Sequence, residues 1–224
     1  MDVFLDTFLN PAVLAKYAPA ILEGAVVTVI LSVLIVLSGI ALGTALACLR
    51  AYRVRPVSAL IVVYADILRA LPPLVLILLF FFGLPNVGVT LSASLVLYVV
   101  LTLVLAAFAE EIVWAGITAT PKGQWEAARS TGLGFTQALG HVVLPQAVRM
   151  VIPPLTNRAI AITKMTALGM VIGVPDILGQ ATTAQSFSAN ASPLTLAAAA
   201  YLVLFLPFVI ASRWLEARFS GPGG

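Results

Sequence analysis

Five stretches of this 224-residue chain are each apolar for longer than the roughly 20 residues that a helix needs to cross a hydrocarbon core about 30 Å thick. They are residues 22–49, 60–84, 90–117, 148–174 and 194–215. A water-soluble globule is excluded, because 61% of the residues are hydrophobic and 9% are charged, against roughly 25% charged in a soluble domain. Twelve Lys and Arg against nine acids are too few to form the basic stripe that nucleic acid requires. One cysteine, Cys48, and one histidine, His141, provide neither a disulfide framework nor a Cys/His metal cluster.

The basic residues orient these spans. Arg50, Arg53 and Arg55 follow the first span, Lys122, Arg129 and Arg149 lie between or beside the third and fourth, and Arg213 and Arg218 stand at the end of the fifth. Lys16 alone falls on the opposite side. Because basic loops are retained in the cytoplasm, the expected fold is an all-α integral membrane protein with five transmembrane helices, its N-terminus outside and its C-terminus cytoplasmic. Residues 1–20 lack an early basic residue and begin with Asp2 and Asp6, unlike a cleaved signal peptide. They are expected to form an external interfacial segment interrupted by Pro11 and Pro19. Residues 220–224, rich in Gly, read as a flexible tail.

Residues 118–147 form a cytoplasmic loop far longer than the two to eight residues usual between bundled helices. The run Pro121-Lys122-Gly123-Gln124-Trp125-Glu126-Ala127-Ala128-Arg129-Ser130-Thr131-Gly132 reads as a turn, a short helix and a glycine stop. A second short helix is expected over residues 135–143, closed by Leu144-Pro145. Two short helices meeting at a glycine make a compact knob suited to docking on a partner.

The loop also carries a spaced signature: Glu126, Ala127, Ala128, Gly132, Val142, Leu144 and Pro145. With Lys122-Gly123-Gln124-Trp125 before it and Pro153-Pro154-Leu155-Thr156-Asn157 after it, it resembles the membrane subunits of bacterial ABC importers, in the polar amino acid permease branch. The resemblance implies a single transmembrane permease domain in the bacterial inner membrane, with a coupling helix in the loop. It implies ATPase docking through Gly123, Glu126, Ala127, Ala128, Gly132, Leu144 and Pro145. It also implies a cytoplasmic ABC ATPase dimer, a second permease copy or paralogue, and an external substrate-binding protein as partners. No cofactor is expected in this chain; ATP and Mg belong to the ATPase, and the chain itself has no Gly-x-x-x-x-Gly-Lys-Ser/Thr phosphate loop.

Charged and polar groups inside spans are costly and point to paths or pairs. Asp66 and Arg69 are three apart on one helical face and can pair, beside Pro72 and Pro73, which kink or unwind the second span. Glu111 stands where the family has an acid in Ala-Tyr-x-x-Glu-x-x-Arg, but Phe108 replaces Tyr and Trp114 replaces Arg; Arg69 or Lys122 is then the available partner. Where the family has Leu-Lys-Asp-Thr-Ser-Leu this chain reads Thr163-Lys164-Met165-Thr166-Ala167-Leu168, which is more apolar and more cationic. Glu111, Asn157, Lys164 and Thr166 are the expected lining of a translocation path. Gly39-x-x-x-Gly43 and Gly169-x-x-x-Gly173 offer small faces for helix packing.

The function expected is ATP-driven import of a polar amino acid or related small zwitterion by alternating access, the chain itself being no enzyme. Two alternatives have different signatures. A gradient-driven carrier would show an inverted repeat, which five spans do not. A membrane enzyme would need a cluster of acids, His or Cys at catalytic spacing.

Overall fold

The computed structural model describes residues 2–219, all main elements being helical, with no strand among them. The tail expected over residues 220–224 lies outside the described residues, as does the Arg218 side chain. The chain begins with α1 (Asp2–Leu9) and α2 (Pro11–Ala51). Asn10 separates them because its side-chain oxygen accepts hydrogen bonds from the N–H groups of Ala12 (3.1 Å) and Val13 (3.2 Å), a helix N-cap. Pro11 then occupies the first helical position, where no N–H is needed. The expected interruption at Pro19 is absent: α2 runs through it without a break for 41 residues, about 60 Å.

The second span is broken, as its prolines imply. Helix α3 (Arg55–Ala70) ends at Leu71, held extended by the following proline (φ −86°, ψ 135°), and Pro72 is extended too (φ −60°, ψ 131°). Helix α4 (Pro73–Gly83) restarts on Pro73 and runs into a 3₁₀ turn, Leu84–Val87. Neither half alone crosses a bilayer, so the described residues hold four helical runs of sufficient length and apolarity, and a fifth crossing only if this broken pair counts as one.

Helix α5 (Ala93–Ala119) is followed by α6 (Lys122–Ser130), which stops at Gly132 in the left-handed conformation (φ 91°). Helix α7 (Phe135–Ala138) does not close at Leu144-Pro145 as expected. It passes through a π turn, Leu139–Val143, directly into α8 (Leu144–Lys164), the wider turn standing just before Pro145, which has no N–H to donate. Pro153 and Pro154 lie inside α8 without ending it. The helix tightens to 3₁₀ over Met165–Ile172 and stops at Gly173 (φ 83°). Of the pair Gly169 and Gly173 only the first packs closely, a Cβ there standing 2.5 Å from Leu97, while Gly173 serves the turn. The connection between the fourth and fifth expected spans contains helix α9 (Ile177–Ser188), and α10 (Ser192–Phe219) completes the fold.

The chain divides into two compact units. The first holds the stretch up to Ile35, Pro72–Leu101 and Ile160–Ile210. There Ile21, Ile177, Ala181 and Ala197 form a buried core, and fully buried Asp176 caps α9 by accepting from the Gly179 N–H (2.8 Å) and from the Tyr201 hydroxyl (3.1 Å). The turn before α10 clasps α1: the Ala191 N–H donates to the Thr7 carbonyl (3.0 Å) and Asn190 to that of Asp6 (2.8 Å).

The second unit holds Val36–Leu71, Thr102–Ala159 and the stretch from Ala211. Its core joins Ala47, Ala109, Val113, Leu139, Val143 and Val151. Gly43 lets α2 touch α5: a Cβ there would stand 2.6 Å from the Ala106 carbonyl oxygen and from Ala109 Cβ. A Cβ on Gly39 would likewise meet Leu105 at 2.8 Å, so this glycine pair packs within the chain.

Candidate functional site

The loop between α5 and α8 is fastened by aromatic rings. Trp125 stacks on Phe135 with centroids 5.2 Å apart, and Phe135 meets Tyr52 at 5.0 Å. The Tyr52 hydroxyl pairs with that of Thr136 at 3.0 Å, and Gln146 donates to Gln124 at 3.2 Å. These contacts tie α6 and α7 to the end of α2 and the start of α8. Helix α6 consequently has an inner face, Trp125 and Ala128, and an outer one.

The residues expected to dock a partner divide along those faces. Gly123, Glu126, Ala127, Gly132 and Pro145 are exposed. Ala128 is 6% exposed and Leu144 packs on the core of its unit, so both hold the loop in shape instead of presenting a surface. Beside the loop a cavity of about 340 Å³ is lined by Arg53, Trp114, Lys122, Trp125 and Glu126 among others. Arg53 adopts a left-handed backbone (φ 57°) at the turn between α2 and α3, a strained conformation for a residue with a side chain.

Sequence reasoning missed the ion pair beneath the loop. Glu110 is fully buried and accepts from Arg50 at 3.0 Å, with its second oxygen at 3.4 Å. The same guanidinium lies 4.7 Å from the centre of the Trp114 ring. Adjacent acids on a helix point about 100° apart, so Glu110 turns into the unit while Glu111 stays half-exposed. One signal was available: two consecutive acids on one apolar helix cannot both face the same surroundings.

Glu111 is paired with Arg69, as the sequence allowed, and not with Lys122. Asp66 stands 4.0 Å from the same guanidinium. Arg69 lies 5.5 Å from the centre of the Phe108 ring, and Arg158 of α8 lies 3.7 Å from it. Phe108 therefore gathers two arginines from different helices.

The four residues expected along a path fall in separate units. Glu111 and Asn157 are exposed in the second; Lys164 and Thr166 belong to the first. Lys164 is exposed at a cavity of about 450 Å³ whose other walls include Tyr201, Leu202, Phe205 and Leu206. Thr166 is fully buried and its hydroxyl donates to the Thr163 carbonyl at 2.8 Å. That hydroxyl is spent within its own helix and offers nothing to a passing molecule. No cluster of His, Cys, Asp and Glu among the described residues could hold a metal ion.

Comparison with known proteins places this arrangement. The family model described as binding-protein-dependent transport system inner membrane component matches residues 39–221. The probable glutamine ABC transporter permease protein GlnM of Bacillus subtilis (strain 168) is 35% identical over 212 residues, covering 94% of this chain and 98% of that protein. The arginine transport system permease protein ArtQ of the same organism is 32% identical over 202 residues, covering 89% and 92%. Among solved structures, a chain described as "Crystal structure of an amino acid ABC transporter with histidines" superposes with a TM-score of 0.82 at 32% identity, covering 92% of this chain and 96% of that one. A chain of the MetNI methionine ABC transporter in an inward-facing conformation shares the fold at a TM-score of 0.66, 22% identity, and coverage of 89% and 94%.

Proposed function

Because this chain belongs to the family of binding-protein-dependent transport system inner membrane components, and is thus the multi-pass permease subunit of an ABC importer, we propose that it carries a polar amino acid or related small zwitterion inward by alternating access. The family implies an ATPase and a substrate-binding protein as partners. The reading adds that the chain works as a pair, with a second copy or a paralogue, on an ATPase dimer that holds the ATP and Mg. In the proposed topology the N-terminus is outside, the C-terminus is cytoplasmic, and α6 and α7 are the coupling segment that seats in the ATPase.

The observation that carries the proposal is the loop itself. Exposed Glu126 and Ala127 stand on a short helix whose inner face is locked by Trp125, Phe135 and Ala128. A rigid projection transmits a partner's displacement to the helices it is fastened to, whereas a floppy one would absorb it. The substrate class draws support from the relatives, whose names specify glutamine and arginine among amino acids. As groups meeting the cargo we propose Lys164 and, separately, the face bearing Glu111 and Asn157.

The test is uptake of a panel of radiolabelled amino acids into proteoliposomes holding the permease, its ATPase and its binding protein. Accumulation of at least one polar amino acid that depends on ATP is expected, with none through the permease alone. Equilibrating transport by the lone chain without ATP would instead establish the gradient-driven carrier.

A further inference from the structure

Resting on the permease reading above, we infer that Arg158, stacked on Phe108, is a carboxylate-binding subsite for the transported molecule. The argument begins with charge. An arginine side chain stays protonated in any protein environment, so its cost within a span is removed only by a counter-charge or by water. Arg158 lies ten residues inside the predicted span 148–174, about 15 Å along the helix from its start, too deep for its side chain to reach the headgroups. Among the described residues no carboxylate is within ion-pair distance of it.

The neighbouring acids are already engaged. Glu111 and Asp66 both lie against Arg69, the other arginine at the Phe108 ring. The ring holds the Arg158 guanidinium at 3.7 Å from its centroid, an attraction that fixes the group without using its N–H donors. A stacked guanidinium still presents those donors at its edge, which is the geometry that takes a carboxylate through two parallel hydrogen bonds. The face is too polar to meet lipid, since Asp66, Arg69 and Glu111, all exposed, gather about the same ring. The cargo class that fits is a molecule with a free carboxylate; an amine lacking one leaves Arg158 uncompensated.

The test uses the assembled permease–ATPase complex in lipid nanodiscs, with Cys48→Ala removing the only native cysteine of the chain and Pro154→Cys, exposed one turn before Arg158 on α8, as reporter. Alkylation of that cysteine by N-ethylmaleimide is followed by peptide mass, with each of the standard amino acids except cysteine, whose own thiol consumes the reagent, and with the decarboxylated amine of each one that protects. Protection by at least one amino acid and none by its amine is expected. In the Arg158→Gln form the concentration for half-protection rises roughly 10- to 100-fold, as loss of hydrogen bonds to a charged group requires; Arg158→Lys retains part of the protection. Equal protection by the amine, or protection unchanged in Arg158→Gln, overturns the subsite. Absence of any protection while ATP-driven uptake persists overturns it too and leaves the permease reading intact, whereas loss of uptake in the unmodified complex would strike that reading itself.

Discussion

Replacing Glu126 by lysine is expected to reduce ATP-driven uptake to the level of vesicles given no ATP, while the chain still inserts and folds. Glu126 is exposed on α6, and its carboxylate forms no ion pair among the described residues, so the fold does not depend on it. Lys122 and Arg129 stand one turn to either side on the same helix. The substitution therefore places three cations along one short outer face and reverses the charge offered to a partner. Comparing uptake and substrate-stimulated ATP hydrolysis with the amount of purified, monodisperse complex separates loss of coupling from loss of fold. Full activity in this form would remove Glu126 from the docking surface.

The second large effect is on folding. Arg50→Met is expected to cost about 3–5 kcal/mol, because it leaves the fully buried Glu110 carboxylate without its partner in a low-dielectric interior. The loss also removes the cation beside Trp114, at the point where α2 meets the base of the loop. The double form Arg50→Met with Glu110→Leu should recover most of that stability, since replacing both members of a buried pair by apolar groups is often close to neutral. Thermal unfolding in detergent, followed by tryptophan fluorescence, reads both. A single substitution as stable as the parent would show that the pair contributes nothing to the stability of the fold.

Much of the architecture was legible because its causes are local. Apolar stretches found the membrane helices, Gly132 found the end of α6, and Pro72-Pro73 found the break between α3 and α4. Prolines misled where a helix runs on through them: Pro145 follows the π turn that carries α7 into α8, and Pro19 lies inside a helix of 41 residues. Helix α9 was missed because Thr, Gln and Ser gave it no clear apolar period, although Asp176 at its start is an ordinary capping residue. At the site, the loop was legible as a spaced signature and the Asp66–Arg69 proximity as a helical interval. The Arg50–Glu110 pair was not, since its members are 60 residues apart and only the packing of α2 on α5 brings them together. The gathering of Arg69 and Arg158 on Phe108 was hidden for the same reason.

The central claim is that the α6–α7 loop is the cytoplasmic contact with the ATPase. It is tested most directly by cross-linking in the assembled complex, with Cys48→Ala as background and one cysteine introduced at Ala127 or, as a control on α9, at Phe187, both exposed. A short thiol-to-amine cross-linker should join the Ala127→Cys form to the ATPase subunit and leave the Phe187→Cys form unjoined to it. Cross-linking to the ATPase from Phe187→Cys, with none from Ala127→Cys, would contradict both the docking role and the proposed topology.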